Sequence, residues 1–459
     1  MITAWRSRGN AKYSAVETAD VGDHDSADDA DEAETLVDQL ARSHSEEIPH
    51  HVLAMGADSL RHRIATAEDV MVVHESLRAL SVHVEAGTAP HDESTTEAIM
   101  TALTRHDNQQ LAVATVSYCH QASQLVPERV DEYTRPLAVV LDHDQAPVLS
   151  DLSVDAHHSN LRTIVTTLNT AAEVDASAVV PCIPGLVHYL DAWPSQRSLL
   201  GWIVQLFEQV AIPDTETIQS RPANRPFYRW GDVTDHATAF APHVQTLASV
   251  TDIWDEVCRG ALTVLYAVTR ASPSAIEPAV PTVIDTWHAA RSDGQSWIWL
   301  YGILSVALDE TPALFDGHVD QIVDGIARDV ARLYAPPLVS RKRLTQARAA
   351  LPGQIAVLVA LSAAFPDPTA RAINETRLAE VLRGVDAAID DLTSLLVQPL
   401  SNNEHRACRV QFLELLRSIA TRYPGAIESH TDVLQPLARD DSPEVSQAAR
   451  RLLAAAGLN

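Results

Sequence analysis

One phrase, written four times along the chain, decides the fold: PERVDEYTRPL at 127–137, PSAIEPAVPTV at 273–283, PALFDGHVDQI at 312–322 and PGAIESHTDVL at 424–434. Each opens on proline, and the residues three, six and ten positions on repeat in character: Val130, Tyr133 and Leu137; Ile276, Ala279 and Val283; Phe315, His318 and Ile322; Ile427, His430 and Leu434. A fifth copy without the proline starts at Ala176 and gives Val179, Cys182 and Leu186. Proline is tolerated in a first helical turn because its missing N–H would be unpaired there anyway, and the three offsets follow one helical face. The phrase therefore predicts a recurring helix start that buries one side, at the second helix of a pair. Successive starts lie 49, 97, 39 and 112 residues apart, which reads as one unit of roughly 40 to 55 residues with degenerate copies in the double gaps.

Around these copies the pattern stays helical from about Thr35 onward, with apolar residues three and four apart and almost no alternating, strand-like runs. Trp254, Val257, Ala261, Val264, Leu265 and Val268 share a helical face, as do Val445, Ala448, Ala449, Leu452, Leu453 and Ala456. Short breaks holding Pro, Asp, Ser or Gly make consecutive helices antiparallel neighbours. The C-terminal LQPLARDDSPEVSQAARRLLAAAG resembles the end of one HEAT-repeat helix, its acidic turn and the next helix, through Leu437, Asp440, Asp441, Pro443, Val445, Ala448, Ala449, Arg450 and Leu453. Residues from about 100 to 459 resemble the HEAT and armadillo families at the level of pattern. The resemblance implies an all-α fold, a right-handed solenoid of antiparallel helix pairs with an extended concave surface, in a family used mostly for scaffolding and docking.

Residues 17–34, ETADVGDHDSADDADEAE, hold nine carboxylates and no Lys or Arg. Such a run buries too little to offset its ordering entropy, so residues 1–34 are expected to be a disordered acidic tail and 35–459 the solenoid. The whole chain of 459 residues has 61 acidic side chains against 34 basic ones, a formal net charge of −27, and only Lys12 and Lys342 are lysine. This composition resembles that of proteins from salt-loving archaea, where at about 1 M salt a Debye length near 3 Å screens self-repulsion. The charge disfavours a broad nucleic-acid or anionic-membrane surface. The N-terminal MITAWRSRGNAKYS has no apolar run behind its basic residues, as a signal peptide would, and a cytoplasmic location is expected. The uncharged stretch Ala349 to Pro366 is read as a buried repeat helix, given its alanine content and the early Pro352 and Gly353.

Catalytic chemistry finds no motif. Cys119, Cys182, Cys258 and Cys408 lie far apart without zinc-ligand spacing and read as buried free thiols. No Gly-x-Ser-x-Gly, phosphate-binding loop, dinucleotide fingerprint or His-Glu-x-x-His occurs, and neither a metal nor a cofactor is expected. The string Asp440, Asp441, Ser442, Pro443, Glu444 superficially matches a metal-binding motif, but Pro443 makes it a helix start, with carboxylates at the positive helix end. The adjacent pairs His50 with His51 and His157 with His158 diverge on a helix, and the histidines are expected at the surface near helix ends.

Two stretches break the acidic background. A long insert at 212–240 concentrates Arg221, Arg225, Phe227, Tyr228, Arg229 and Trp230, the residue types that most often anchor partners, or that pin a loop to its own scaffold. The second, Arg341, Lys342, Arg343 and Arg348, follows Pro336 and Pro337 and would contact phosphate if the chain bound nucleic acid, or pair with neighbouring acidic helices. Seven of the eight tryptophans, from Trp193 to Trp299, are read as core. The sequence thus points to a non-enzymatic scaffold or adaptor that binds another protein, with a nucleic-acid-binding helical-repeat protein as the rival.

Overall fold

A computed structural model describes residues 48–142, 154–192, 196–212, 235–252, 255–289, 297–334, 341–375, 389–402 and 406–458. The expected acidic tail lies outside them. Every regular element among the described residues is helical. In chain order these are α1 (His50–Leu53), α2 (Ala57–Thr66), α3 (Val70–Glu85), α4 (Glu93–Arg105), α5 (Gln109–Leu125), α6 (Val130–Leu141), α7 (Val154–Val174), α8 (Ile183–Ala192) and α9 (Arg197–Ala211). They continue as α10 (Val244–Ser249), α11 (Asp255–Ala271), α12 (Val280–Ala289), α13 (Trp297–Glu310), α14 (Val319–Tyr334), α15 (Arg341–Ala364) and α16 (Pro366–Glu375). The last are α17 (Ile389–Asn402), α18 (Arg406–Ala420), α19 (Gly425–Glu428), α20 (Thr431–Leu437) and α21 (Pro443–Ala455).

The helices stack in two rows, giving an α-solenoid of antiparallel pairs. In the first row α2, α4, α6, α8, α10, α12, α14 and α16 each pack on the next. In the second, α3, α5, α7, α9, α11, α13 and α15 do the same. The array closes with α17 on α18 and α20 on α21, α18 being wedged between α15 and α21. One continuous apolar core runs between the rows, from Ile48 to Ala456.

The repeated phrase opens first-row elements, and its local form differs from the expected α-turn. Three copies begin as 3₁₀ turns, Ala176–Cys182, Pro273–Ala279 and Pro312–Phe315, which run toward α8, α12 and α14. With three residues per turn, side chains at offsets three and six eclipse on one edge, and the further four residues to offset ten add one α-turn on the same side. Val179, Cys182, Leu186, Ile276, Ala279, Val283, Phe315 and Ile322 are accordingly buried, while His318 and His430 at the middle offset are half-buried. A sixth copy stands in the 97-residue gap: Ala237, Phe240 and Val244, at offsets three, six and ten from Thr234, are buried in the 3₁₀ stretch Asp235–His243 and at the start of α10. The expected insert at 212–240 is therefore partly packed structure. Ile212 is buried at the end of α9 and 235–240 belong to this copy, leaving 213–234 outside the described residues.

Helix starts are capped by side chains that the sequence supplies on cue. Asp69 accepts from the Met71 N–H, Asp92 from Thr95, Asn108 from Gln110 and Leu111, and Ser442 from Val445. Asp440 accepts from the Ser442 N–H and from Arg409 at 2.9 Å, so the acidic string before α21 is a helix start and not a metal site. Ala349 to Pro366 lies in α15 and at its end, and no described helix is long and apolar enough to cross a membrane. All four cysteines are free and buried; burial pushes the Cys119, Cys182 and Cys408 thiols up, away from reactivity.

Candidate interaction surface

Sorting the helices by row exposes a charge asymmetry. The second-row helices α5, α7, α9, α11, α13 and α15 hold seven Asp or Glu against eight Arg or Lys. The first-row elements from α4 to α16, with their 3₁₀ leads, hold thirteen against five. The seven second-row carboxylates, Asp155, Glu173, Glu208, Asp255, Glu256, Asp309 and Glu310, all sit in a first or last turn, and α5 has no charged residue at all. In a chain of net charge −27, the middle of the second row is thus free of carboxylates.

The side of α5, α7 and α9 away from the core is polar but neutral. Ser117 and Gln124 on α5, Arg162 and Thr166 on α7, and Gln205 on α9 are exposed, with Trp202 half-buried among them. Trp202 is the centre of this surface. The Arg162 guanidinium stands 5.1 Å from its ring centroid, and the His158 imidazole stacks on it at 6.0 Å and 27°. An indole sandwiched by a cation and an imidazole keeps one fixed rotamer and a large area for contact, the features of a binding anchor.

Hydrogen bonds across neighbouring second-row helices hold the surface rigid. Gln121 on α5 accepts from Ser81 and donates to Glu85, both on α3. The His120 ring shares a 3.0 Å hydrogen bond with Thr167 on α7, and burial lowers the His120 pKa. At the far edge burial raises the Glu208 pKa, opposed by Arg259 and by a hydrogen bond with Thr263 on α11. None of these groups forms a nucleophile–base pair, and among the described residues no cluster of His, Cys, Asp and Glu could hold a metal ion. A cleft of about 520 Å³ on the first row, lined by Met100, Arg135, Pro181, Pro184 and His188, also lacks a reactive pairing; Arg135 is held by Glu97 at 2.6 Å.

The sequence-expected binding residues fare differently. Arg221, Arg225, Phe227, Tyr228, Arg229 and Trp230 lie outside the described residues. Arg341, Lys342, Arg343 and Arg348 fall on the first two turns of α15, a second-row helix, with their side chains undescribed. Trp287 and Trp299 are core, as expected, whereas Trp202 reaches the surface. The expectation of surface histidines needs a correction at His91, which precedes α4 and is only 3% exposed. It is drawn in because its Nδ1 shares a 2.7 Å hydrogen bond with the buried Tyr118 hydroxyl while Arg129 holds its carbonyl at 2.7 Å.

No protein-family model matches the chain, and no curated protein matches it. Solved structures of similar outline are found at low similarity. The chain has a TM-score of 0.37 and 12% identity to a structure described as "A conserved phosphorylation switch controls the interaction between cadherin and beta-catenin in vitro and in vivo", covering 95% of this chain and 97% of that one. Importin beta gives 0.36 and 12% over 94% of this chain, and Kap121p 0.30 and 11% over 93%. The chain spans about half the length of those two, 51% and 49%.

Proposed function

We propose that the protein is a non-enzymatic interaction scaffold that holds a protein partner on the second-row face around Trp202, in a high-salt cytosol. The carrying observation is the placement of a half-buried, Arg-flanked tryptophan on the only row from which carboxylates are excluded at mid-helix. A solvent face has no stability reason to avoid carboxylates in so acidic a chain. Keeping them away from a contact surface avoids desolvating unpaired charge when a partner covers it. Basic side chains at the start of α15 extend the same row.

The test is affinity purification of the tagged full chain from concentrated KCl, beside a Trp202→Ala, Arg162→Glu variant checked for unchanged helicity and melting. A stoichiometric protein recovered with the parent and lost with the variant supports the assignment. Equal recovery by both removes it. Recovery of nuclease-sensitive nucleic acid in place of protein, lost on reversing Arg341, Arg343 and Arg348, would replace it with the nucleic-acid reading.

A further inference from the structure

We propose that residues 17–34 of the same chain dock on this second-row face at low ionic strength and leave it as salt rises, so that the acidic segment is an intramolecular competitor for the site. This rests on the face being a binding surface. Charge complementarity chooses the occupant: the segment carries nine carboxylates and no Lys or Arg. The first row, with its carboxylate excess, repels it. The second row offers the exposed Arg162, Arg197 and Arg259 on three consecutive helices, with acidic groups only at the helix ends.

The point where the described chain begins supports the same occupant. α1 packs on α3, so the N-terminal segment departs from the second row and from the end nearest α5. Fourteen residues separate Glu34 from Ile48. An extended chain covers up to about 3.5 Å per residue, roughly 45–50 Å here, while three helix spacings of about 10 Å carry it from α3 to α9. Tethering supplies an effective concentration of order millimolar, so even weak contacts compete with a free ligand. Because those contacts are exposed ion pairs, they strengthen as the Debye length grows from about 3 Å at 1 M salt to about 10 Å at 0.1 M.

The experiment places spin labels on the full chain at Ser26→Cys and Gln205→Cys; the four native thiols are buried and stay unlabelled. Distances are measured by pulsed electron resonance at about 0.1 M and about 1 M KCl, with an excluded osmolyte keeping the fold intact at both. A short-distance population at low salt, lost at high salt and lost when the segment's carboxylates are changed to Asn and Gln, is the expected result. One broad distribution, unmoved by salt or by neutralisation, overturns the proposal. As an independent readout, a fluorescent peptide copy of residues 17–34 should bind the neutralised full chain roughly tenfold more tightly than the parent at low salt. Equal affinity for the two would also overturn it. The two readings separate through Trp202→Ala. Loss of partner recovery with no tail docking sinks only the competitor, whereas tail docking with partner recovery indifferent to Trp202→Ala sinks only the partner site.

Discussion

Asp329 on α14 is a carboxyl group only 8% exposed in an apolar core, and what surrounds it explains why it is tolerated. Its Oδ2 accepts from the Trp287 indole N–H at 3.0 Å and from the Tyr301 hydroxyl at 2.7 Å, and the same hydroxyl accepts from the Gln354 amide at 3.0 Å. Four helices, α12 to α15, are tied by this set. Tyr301→Phe leaves Gln354, whose Oε1 already lacks a partner, without its amide contact and removes one of the two donors to Asp329. We expect it to cost about 2–3 kcal/mol in urea unfolding. Gly325, one turn before Asp329, would place a Cβ 2.5 Å from the Trp287 ring, which the Asp329 bond holds in place. Gly325→Ala should therefore destabilise by more than about 1 kcal/mol, although alanine is the better helix former by about that amount. At His91, burial, opposed by Asp92 and aided by Arg129 and Arg61, takes the imidazole down to about 4. The unfolded chain then binds the extra proton, so this contribution is complete above about pH 6.5 and is lost as pH falls toward 4. The loss at pH 5 is about 2 kcal/mol, and His91→Gln should flatten the pH dependence of the unfolding midpoint between pH 7 and 5. None of these partners was legible in the sequence, because a buried Asp or His is distinguished from a surface one only by residues 27 to 53 positions away that the fold brings to it.

At the scale of elements the sequence was more informative. Proline, the apolar offsets and the acidic capping string named the helix starts correctly, since each is a local rule that needs no tertiary partner. Ser442→Ala should remove the cap on the Val445 N–H and cost about 1 kcal/mol, read from urea unfolding, while Asp441→Asn should change little. What local rules could not separate was α from 3₁₀ at the first turn, because both tolerate proline and both place offset three on the same side. The copy at Ala237, Phe240 and Val244 was hidden for another reason. It lacks the proline and follows the run of Arg and aromatic residues, whose composition suggested a loop continuing through 240. Trp202 escaped notice because a tryptophan at helical spacing is ordinarily core, and its place on the outer side of α9 follows only from which flank the buried Leu199, Ile203, Leu206 and Val210 occupy. The signal was present in α5, where seventeen residues without a charge still include polar side chains on the side away from the core.

The whole molecule is governed by its charge and by the linear order of its contacts. With −27 spread mainly over first-row helices and the N-terminal segment, raising KCl from about 0.1 M to above about 1 M should lift the melting temperature, by screening repulsion within the first row. A melting temperature independent of KCl over that range would argue for an ordinary acidic protein in place of a halophilic one. The two-row asymmetry was invisible in composition, since α5 and α15 are diluted by acidic first-row neighbours in any sequence window; it emerges only once alternate helices are counted together. The neighbour-to-neighbour packing has a further consequence for biosynthesis. Each second-row helix rests mainly on the one before it and the one after it, so contact order is low and the array can assemble vectorially as it leaves the ribosome. The surface around Trp202 is finished once α11 has emerged, with nearly two hundred residues still to be translated. A partner that reads this surface can therefore engage the nascent polypeptide, and assembly with it need not wait for chain termination.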